Sequence, residues 1–483
     1  MIYQFKGDCT DGLSVSPLFF ELEAGVTYLS VKAAVSKSSI LQWYLYNPSG
    51  SLHGQGFHMG SGGTAVMAPG RRMPYGASGC RLGEGCWVIW AVCLAAGEAG
   101  QDNTWALDIT YGFDASGLPE PEEAPAVSWL DCAGAIDGGY LRKSYCSAQA
   151  WYRGDFHVHT TCSDGKMPPS RINREARGQA LDFFAVTDHN FIHTGWTDAS
   201  IPVIPGVELT LREGHFNLFY NGTPPMFRQD FWRNIADNAD CAEILLKAAG
   251  EAVISVNHPF MRPWEVKDGS LDASLPDAME IICDPSWSTA AEAADKALKA
   301  FSILWNRGIR IAGIGGSDLH QPPEEPYEGS SLPVRIGLPT TWVLAEELSV
   351  PALLKGLTEH RVYVSMGFKL DVFAEYFGAI YAIGSHIPVA DDNVVSFAFY
   401  LSNNDKLYYA ELVENGVTTE KFTVDGHEPV CFIRKWNGCY HWLRIDIRDA
   451  EGRLCGFTNP FYSGEKETEK TTWGNLVELI EGT

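Results

Sequence analysis

The sequence is poor in positive charge. Its 483 residues contain 36 Lys and Arg against 60 Asp and Glu, which gives a formal net charge of -24. A surface with this excess of carboxylates repels phosphate backbones and anionic membrane surfaces. We therefore expect a small-molecule partner and no polymeric nucleic acid. Bound divalent cations would offset part of the excess, because metal sites concentrate carboxylates.

The sequence also has no secretory signal and no long apolar run. The start, MIYQFKGDCTDG, lacks a basic segment and an apolar core, and the longest apolar run, CWVIWAVCLAAG, is too short to span a bilayer. A cytoplasmic location is expected. The 12 cysteines include no C-x-x-C pair. We therefore expect buried thiols rather than a disulfide framework.

Two common catalytic motifs are missing. The chain has neither a G-x-x-x-x-G-K-[ST] phosphate loop nor a G-x-S-x-G nucleophile elbow. The stretch GIGGSD is a weak nucleotide signal, because it ends in Asp318 rather than in a helix of the dinucleotide-binding type. Cys162 could act as a nucleophile, but no base is assigned to it, so we interpret it as a packed thiol.

The pattern of apolar and polar residues divides the chain into three regions. Residues 1–125 show short alternating runs and end in the acidic, proline-rich segment DASGLPEPEEAPAVS, which predicts a β-sandwich-like domain followed by a linker. Residues 150–367 alternate short apolar runs with helical patterns, which predicts βα units in a largely parallel sheet or a barrel. Residues 368–483 return to alternating strands and predict a C-terminal β-rich domain.

Histidines and carboxylates follow the predicted strands of the middle region. They are His157 and His159 in FHVH, Asp188 and His189 in AVTDHN, Glu208 in GVELT, His258 in VNHP, and Asp318 and His320 in GGSDLH, with Asp164 and His215 flanking the same ends. The carboxyl ends of parallel strands converge on one rim. Side chains alternate along a strand, so His157 and His159 point the same way and can hold one ion together.

Each residue also has a purely structural interpretation. A histidine after an apolar run is often a hydrogen-bonded wall residue. Asp188 can cap a helix that carries His189 on its surface, and Asp318 can cap another. Glu208 can be the buried partner of an arginine. Taken together, however, the nitrogen and oxygen ligands exceed four, which indicates more than one metal ion.

The motifs DFHVHTTCSDG, AVTDHN, GVELT, NHP and GGSDLH, in this order, resemble the motif series of the PHP (polymerase and histidinol phosphatase) superfamily. The later GLPTTWV and VYVSMG, with the flanking β-modules, resemble its CehA/McbA-like branch, which is related to carbaryl hydrolases. The resemblance covers about residues 151–367. It implies an α/β fold with a distorted (β/α)7 barrel that holds two or three divalent ions of zinc, manganese or iron.

The resemblance also implies a set of metal ligands. His157 and His159 would hold the first ion with Asp318 nearby, Glu208 would bridge to a second ion completed by His215 and His258, and Asp164, His189 and His320 would hold a third. Asp188 would orient an imidazole from outside the ligand set. Glu208, Asp318 and His320 are the predicted catalytic residues. The chain departs from the pattern at Glu280, Cys283 and Asp284, where no ligand aligns securely, and at His360, where relatives often have glycine.

Closely spaced ions of this kind perform hydrolysis, because they activate a water and stabilise charge on the attacked and leaving oxygens. The leading prediction is a phosphoesterase acting on a small phosphate ester. Lys166, Arg262 and Arg335 are candidate substrate-binding cations, or else solvated surface cations. A carbamate, ester or amide hydrolase using the same ions is the alternative. An alternative of another class is a metal-binding sensing protein whose β-modules bind carbohydrate or a partner.

Overall fold

The computed structural model describes residues 2–9, 13–95, 103–131, 134–235, 240–330, 332–402, 406–424, 426 and 428–482. The protein is a strand-rich mixed α/β structure, as predicted. In these ranges no helix is both long and apolar enough to cross a membrane. No disulfide joins the cysteines that they contain.

The N-terminal region forms two four-stranded antiparallel sheets. The strands are β1 (Ile2–Asp8), β2 (Leu13–Leu22), β3 (Tyr28–Val35), β4 (Ser39–Tyr46), β5 (Leu52–Met59), β6 (Gly63–Met67), β7 (Gly85–Ala95) and β8 (Thr104–Gly112). One sheet has the order β1-β8-β3-β6 and the other β2-β7-β4-β5. Their facing sides share one core, in which Leu29 and Ile109 of the first sheet pack with Trp43 and Trp87 of the second. This burial of apolar side chains holds the two layers together.

The middle region carries most of the helices. Its elements are β9 (Val127–Ser128), α1 (Gly138–Leu141), β10 (Ala150–Asp155), α2 (Pro169–Gly178), β11 (Phe183–Val186), β12 (Gly195–Trp196), β13 (Val203–Leu211), β14 (Gly214–Phe219), a 3-10 helix (Pro225–Phe227), α3 (Asp230–Ile235), α4 (Cys241–Ala249), β15 (Val253–Val256), β16 (Ala278–Cys283), α5 (Ala290–Asn306), β17 (Ala312–Gly316), β18 (Thr340–Ala345), α6 (Val350–Thr358) and β19 (Val362–Ser365). Strands β10, β11 and β13 are parallel, as are β15, β16 and β17.

The central sheet is mixed rather than largely parallel. Strand β14 pairs antiparallel with both β13 and β15, and β18 pairs antiparallel with β10. The cause lies in the turn after β13, where only Arg212 and Glu213 separate Leu211 from Gly214, its partner in the ladder. Two residues close a hairpin, whereas a parallel crossover needs a dozen or more. The parallel pattern therefore breaks at this turn.

The predicted closed barrel is not confirmed. In the described residues no backbone ladder closes the central sheet, because the free edge of β10 is taken by β18. The end strand β17 instead contacts β18 in the interior of the same sheet through a side chain: Thr341 Oγ1 on β18 accepts from the backbone N of Gly315 on β17 at 2.9 Å and donates to its O at 2.7 Å. The strand ends of this region consequently face one another around a common space.

The C-terminal region adds strands to the central sheet and builds a smaller one. Its elements are β20 (Lys369–Tyr376), β21 (Ala379–Ala382), β22 (Asn393–Ser402), β23 (Tyr408–Glu414), β24 (Val417–Val424), β25 (Val430–Trp436), β26 (His441–Arg448), β27 (Leu454–Thr458), β28 (Phe461–Ser463) and α7 (Trp473–Glu481). The smaller sheet has the order β21-β20-β22-β25, while β27, β26, β23 and β24 continue the central sheet beyond β19. The region is thus β-rich but ends in a helix. The predicted domain boundaries stay predictions.

The N-terminal sheets dock directly on the middle region. Tyr44 and Tyr46 on β4 belong to the same buried apolar cluster as Phe216 and Phe219 of β14. The Tyr44 hydroxyl donates to the carbonyl oxygen of Asn190 at 2.6 Å. This shared core fixes the β4–β5 hairpin beside the ends of the central strands.

His360 lies away from those strand ends. Its φ of 59° is in the left-handed region that favours glycine. The His360 imidazole packs against Trp305 with ring centroids 5.4 Å apart, and its Nε2 lies 2.9 Å from the carbonyl oxygen of Arg310. Its role here is packing.

Candidate metal centre

Two histidines follow the last residue of β10. The side chains of His157 and His159 are fully buried, and their Nε2 atoms lie 3.0 Å apart. The segment between them is held on both sides, because Thr187 N donates to Val158 O and Val158 forms an isolated parallel bridge with Leu319. Both imidazoles therefore extend to the same side of the segment.

The carboxylate of Glu208, on β13, is the common neighbour of five imidazoles. Its Oε1 lies 3.4 Å from His157 Nε2 and 3.2 Å from both His215 Nδ1 and His258 Nε2, and its Oε2 lies 3.3 Å from His159 Nε2 and 2.8 Å from His189 Nδ1. The hairpin register explains the contact with His215, since Glu208 and His215 lie on one face two residues apart along the ladder. A carboxylate in this position can bridge two cations.

Asp318 closes the other side of the cluster, in the loop after β17. Its Oδ1 lies 3.3 Å from His157 Nε2, 3.2 Å from His159 Nε2 and 3.4 Å from His320 Nδ1. The Asp318 backbone has φ 48°, which is uncommon for a residue other than glycine. Such conformations persist where surrounding contacts fix them, and they are concentrated at functional sites.

Asp164 gathers a further group at the more open end of the cluster. Its carboxylate lies 3.5 Å from His189 Nε2, 3.3 Å from His320 Nε2 and 3.9 Å from His159 Nδ1. Ligand atoms of these four residues all lie within 4.8 Å of one another. The grouping is the third ligand set implied by the resemblance, with His159 added.

All of the predicted metal ligands therefore lie in one cluster. The other ligand groups within 4.8 Å in the described residues are His157, His159 and Glu208; His189, Glu208 and His215; His157, Cys283 and Asp318; and, behind the loop of Asp188, Cys162, Asp188 and His193. The structure thus brings Cys283, which the sequence left open, to the cluster. Burial raises the pKa of the Cys283 thiol well above its usual value, and Glu280 and Asp318 raise it further. Neighbouring Asp284 has its pKa raised to about 7 by burial and by Asp318.

Glu280, on β16, contacts two histidines of the cluster through atoms other than their Nε2. Its Oε1 accepts from His157 Nδ1 at 2.8 Å, and its Oε2 accepts from the backbone N of His258 at 2.9 Å. With its proton on Nδ1, His157 would offer the Nε2 lone pair to a metal ion. Gly316 makes room for this arrangement, because a Cβ there would lie 2.4 Å from Glu280 Oε1.

Asp188 fixes the loop between two ligand positions. It accepts from Thr160 N at 2.8 Å, from Thr160 Oγ1 at 2.7 Å and from Ser163 Oγ, and it lies 2.6 Å from His193 Nε2. The imidazole that it holds is that of His193, which is not one of the predicted ligands. His193 was not predicted from the sequence, although its place five residues after Asp188 in AVTDHNFIHTG was a visible signal.

The charges of the cluster depend on one another. Burial by itself raises the pKa of Glu208, but the imidazoles of His189 and His157 outweigh it and hold the pKa well below its usual range. Burial lowers the pKa of His215 to about 4, because Glu208 opposes only part of the effect. Burial also acts to lower the pKa of His320, but Asp318 and Asp164 raise it to about 10. The Glu208 carboxylate is therefore ionised near neutral pH.

The cluster fits divalent ions. Glu208 Oε2, Asp318 Oδ1 and His159 Nδ1 are buried, and none of them forms a hydrogen bond of acceptable geometry with the described residues, although oppositely charged groups lie 2.8–3.9 Å away. A buried polar atom left in this state costs about 1–3 kcal/mol. A cation would satisfy these lone pairs, and imidazole with carboxylate suits zinc, manganese or iron. The buried groups can therefore hold metal ions.

The three predicted substrate-binding cations do not reach the cluster. Lys166 pairs through Nζ with Glu325 Oε2 at 2.8 Å, and both side chains are about half exposed. Arg262 and Arg335 are exposed. The hydrogen bonds and ion pairs of the described residues include none between these three side chains and the imidazoles or carboxylates of the cluster.

Aromatic rings surround the cluster instead. The Trp264 ring centroid lies 6.4 Å from that of His258 and 5.0 Å from that of Trp287. On the opposite side, the Phe57 ring of β5 stacks with the His189 imidazole at 6.3 Å. The position of these rings beside the cluster was not predicted from the sequence. Phe57 belongs to the N-terminal sheets, and only the docking of those sheets brings it to the cluster.

No family model and no curated protein matches the chain. Among solved structures, it is similar to a protein from Bifidobacterium adolescentis that is provisionally described as a metal-dependent phosphoesterase. The two are 15% identical with a TM-score of 0.25, over 38% of this chain and 91% of the other. A likeness this distant carries no argument about activity, which has to come from the cluster itself.

Proposed function

We propose that the chain is a metal-dependent hydrolase of the PHP superfamily, acting on a small phosphate ester through two or three ions of zinc, manganese or iron. The observation that carries the proposal is the position of Glu208, whose two oxygens lie within 3.4 Å of imidazole nitrogens from five histidines. A single ion cannot use so many ligands, so one carboxylate shared between ions accounts best for the arrangement.

Each residue then has a role. His157, His159 and Asp318 would hold one ion, Glu208 would share it with a second held by His215 and His258, and Asp164, His189 and His320 would hold a third. Bound ions would supply an activated water and stabilise negative charge on the attacked oxygens. Glu280 keeps the proton of His157 on Nδ1. The side chains of Asp164 and His320 are 20% and 22% exposed, whereas Glu208 is buried, so substrate enters from their side.

Replacement of Glu208 tests the proposal. Glu208→Gln removes the charge that holds the imidazoles together, so we expect turnover to fall by several orders of magnitude and bound metal to fall by at least one ion per chain. Metal content is measured by mass spectrometry in protein kept away from chelators, and folding by thermal melting with added metal. Glu465→Gln is the matched control, because Glu465 is exposed and pairs only with Arg310 at 3.3 Å in the described structure. Near-normal turnover in Glu208→Gln would refute the assignment.

A carbamate or carboxylic ester is the second candidate substrate. It is favoured by the absence of Lys166, Arg262 and Arg335 from contact with the cluster and by the aromatic rings around it, and it agrees with the resemblance to the CehA/McbA-like branch. The two candidates differ in their response to inorganic phosphate. A phosphoesterase is inhibited competitively by millimolar phosphate. If phosphate has no effect and a neutral aryl carbamate is turned over efficiently, the second candidate replaces the first.

A further inference from the structure

A cavity lies between the N-terminal sheets and the middle region, beside the metal centre. It has a volume of about 540 Å³, within the range of roughly 300–1,000 Å³ that is common for small-molecule sites. Trp43 and Phe57 line it from the N-terminal sheets, and Phe191 and Cys162 line it from the middle region. We call this cavity the aromatic cleft.

The aromatic cleft adjoins the metal centre. Phe57 lines the cleft and also stacks with the His189 imidazole at 6.3 Å. Phe191 is two residues after His189, and Cys162 is three residues after His159. The Phe57 ring is therefore a common neighbour of the cleft and the cluster.

The walls of the cleft are fixed before any ligand arrives. Gln55 on β5 accepts from the backbone N of Ile192 at 3.2 Å and donates back to its carbonyl oxygen. The Trp43 indole N–H donates to His58 Nε2 at 3.3 Å. Gly76, with φ 80°, allows Phe191 to approach so closely that a Cβ would lie 2.4 Å from its ring. A preformed wall spends little conformational entropy on binding.

The charges around the cleft select against an anion. Glu122 and Glu123 are among its lining residues, and the lining residues in the described part of the chain include no lysine or arginine. Burial lowers the pKa of His58, so this imidazole adds no positive charge near neutral pH. Aromatic rings with carboxylates at one side accept a planar, uncharged group.

We propose that the aromatic cleft binds a planar aromatic group of the substrate while the metal centre acts on the ester bond. The proposal rests on the proposed hydrolase function and narrows it, because the substrate becomes an aryl ester rather than a small alkyl one. The N-terminal sheets then supply one wall of the active site and determine specificity.

Two ligands that share one anionic group test the proposal. Phenylphosphonate and methylphosphonate are titrated by calorimetry into the metal-loaded full chain. We expect phenylphosphonate to bind at least about tenfold more tightly, which is the effect of burying one ring against apolar walls. The neutral probe 4-cyanophenol is titrated alongside, because it needs no phosphate site.

Thr64→Trp is the decisive variant. Thr64 is exposed and lines the cleft from β6, so a tryptophan there fills the space without removing any core side chain. We expect the tenfold preference to fall to about one, with methylphosphonate affinity unchanged and 4-cyanophenol binding lost. Phe57→Ala should weaken the preference with metal content retained. Phe377→Ala is the control, because Phe377 is 81% exposed and lies on the C-terminal sheet side of the chain.

The outcomes separate the two proposals. If neither phosphonate binds but 4-cyanophenol binds the wild type and not Thr64→Trp, the cleft is supported and the phosphoesterase assignment fails. The aromatic cleft proposal is wrong if the wild type binds phenylphosphonate no more tightly than methylphosphonate and does not bind 4-cyanophenol. It is also wrong if Thr64→Trp keeps the preference for phenylphosphonate.

Discussion

Replacement of Glu280 by glutamine probes the geometry behind the metal centre. The two Glu280 oxygens accept from two different donors, His157 Nδ1 and the backbone N of His258. A glutamine has only one oxygen, so one of its N–H groups must face another N–H. If the amide nitrogen faces His157, the imidazole must carry its proton on Nε2, and the Nε2 lone pair that would bind a metal ion is lost. If the amide nitrogen faces His258, the loop that carries this histidine is displaced.

The size of the effect follows from the bonds that are lost. A hydrogen bond to a charged group contributes about 1.5–3 kcal/mol, and each 1.4 kcal/mol corresponds to a factor of ten. The expected loss in metal affinity is therefore about 10- to 100-fold. Mutation of residues that orient metal-bound histidines generally lowers metal affinity or activity by about 10- to 100-fold. The two estimates agree, although Glu280 is not required to touch an ion.

Competition with a chromophoric chelator measures this affinity. The Glu280→Gln protein should keep its melting temperature in excess metal and lose activity at limiting metal, with activity restored as metal is added. Glu465→Gln serves again as the exposed control. If Glu280→Gln binds metal as tightly as the wild type, then Glu280 does not orient His157, and the explanation for the tautomer fails. If excess metal restores no activity, Glu280 has a direct role that the geometry does not support.

Two further predictions concern packing and pH. Gly316→Ala should lower metal content and destabilise the fold by about 1–3 kcal/mol, because the new Cβ would lie 2.4 Å from Glu280 Oε1 and 2.5 Å from His157 Cβ; Gly178→Ala, with nothing within 4 Å, should leave both unchanged. His53 is buried against Trp87 at 4.9 Å, and burial lowers its pKa to about 4. Its neutral form is the stable one in the folded protein, so stability is complete above the unfolded pKa of about 6.5 and falls by about 2 kcal/mol by pH 5. Chemical denaturation at pH 8 and pH 5 should show this loss in the wild type and a smaller one in His53→Leu, and equal losses would contradict the assignment.

The strand pattern made it possible to predict which candidate ligands lie close together. An apolar run followed by a histidine or carboxylate places that side chain at a strand end, and the ends of neighbouring parallel strands lie side by side. His157 and Asp318 follow this rule, whereas Glu208 lies within β13 and is paired with Asn217 of β14. The role of Glu280 was not predictable, since the sequence gives no register between β16 and the segment after β10. Asp188 was predicted to orient an imidazole, but that this imidazole is His193 was not. Only the ladder shows which carboxylate faces which nitrogen.

The topology was less predictable than the strands. Short apolar runs alternate with helical patterns over most of residues 150–367, and this pattern favours parallel pairing. The exception depends on the two-residue turn at Arg212 and Glu213, whose sequence has no Asn-Gly or Asp-Gly signal for a hairpin. Closure of a barrel depends on which strand takes the free edge of β10. That choice is made by tertiary packing, here in favour of β18.

The distribution of charge connects the site with its substrate. A formal charge of -24 slows the approach of any anion, and Glu122 and Glu123 add negative charge beside the aromatic cleft. A phosphate ester can overcome this field only where bound cations reverse it, at the cluster around Glu208. The rest of the substrate gains most if it is uncharged and flat, because the nearby walls are the rings of Trp43, Phe57 and Phe191. The proposed hydrolase would therefore combine a centre that suits an anionic or polar ester group with surroundings that reject a second anion, and an aryl ester would satisfy both.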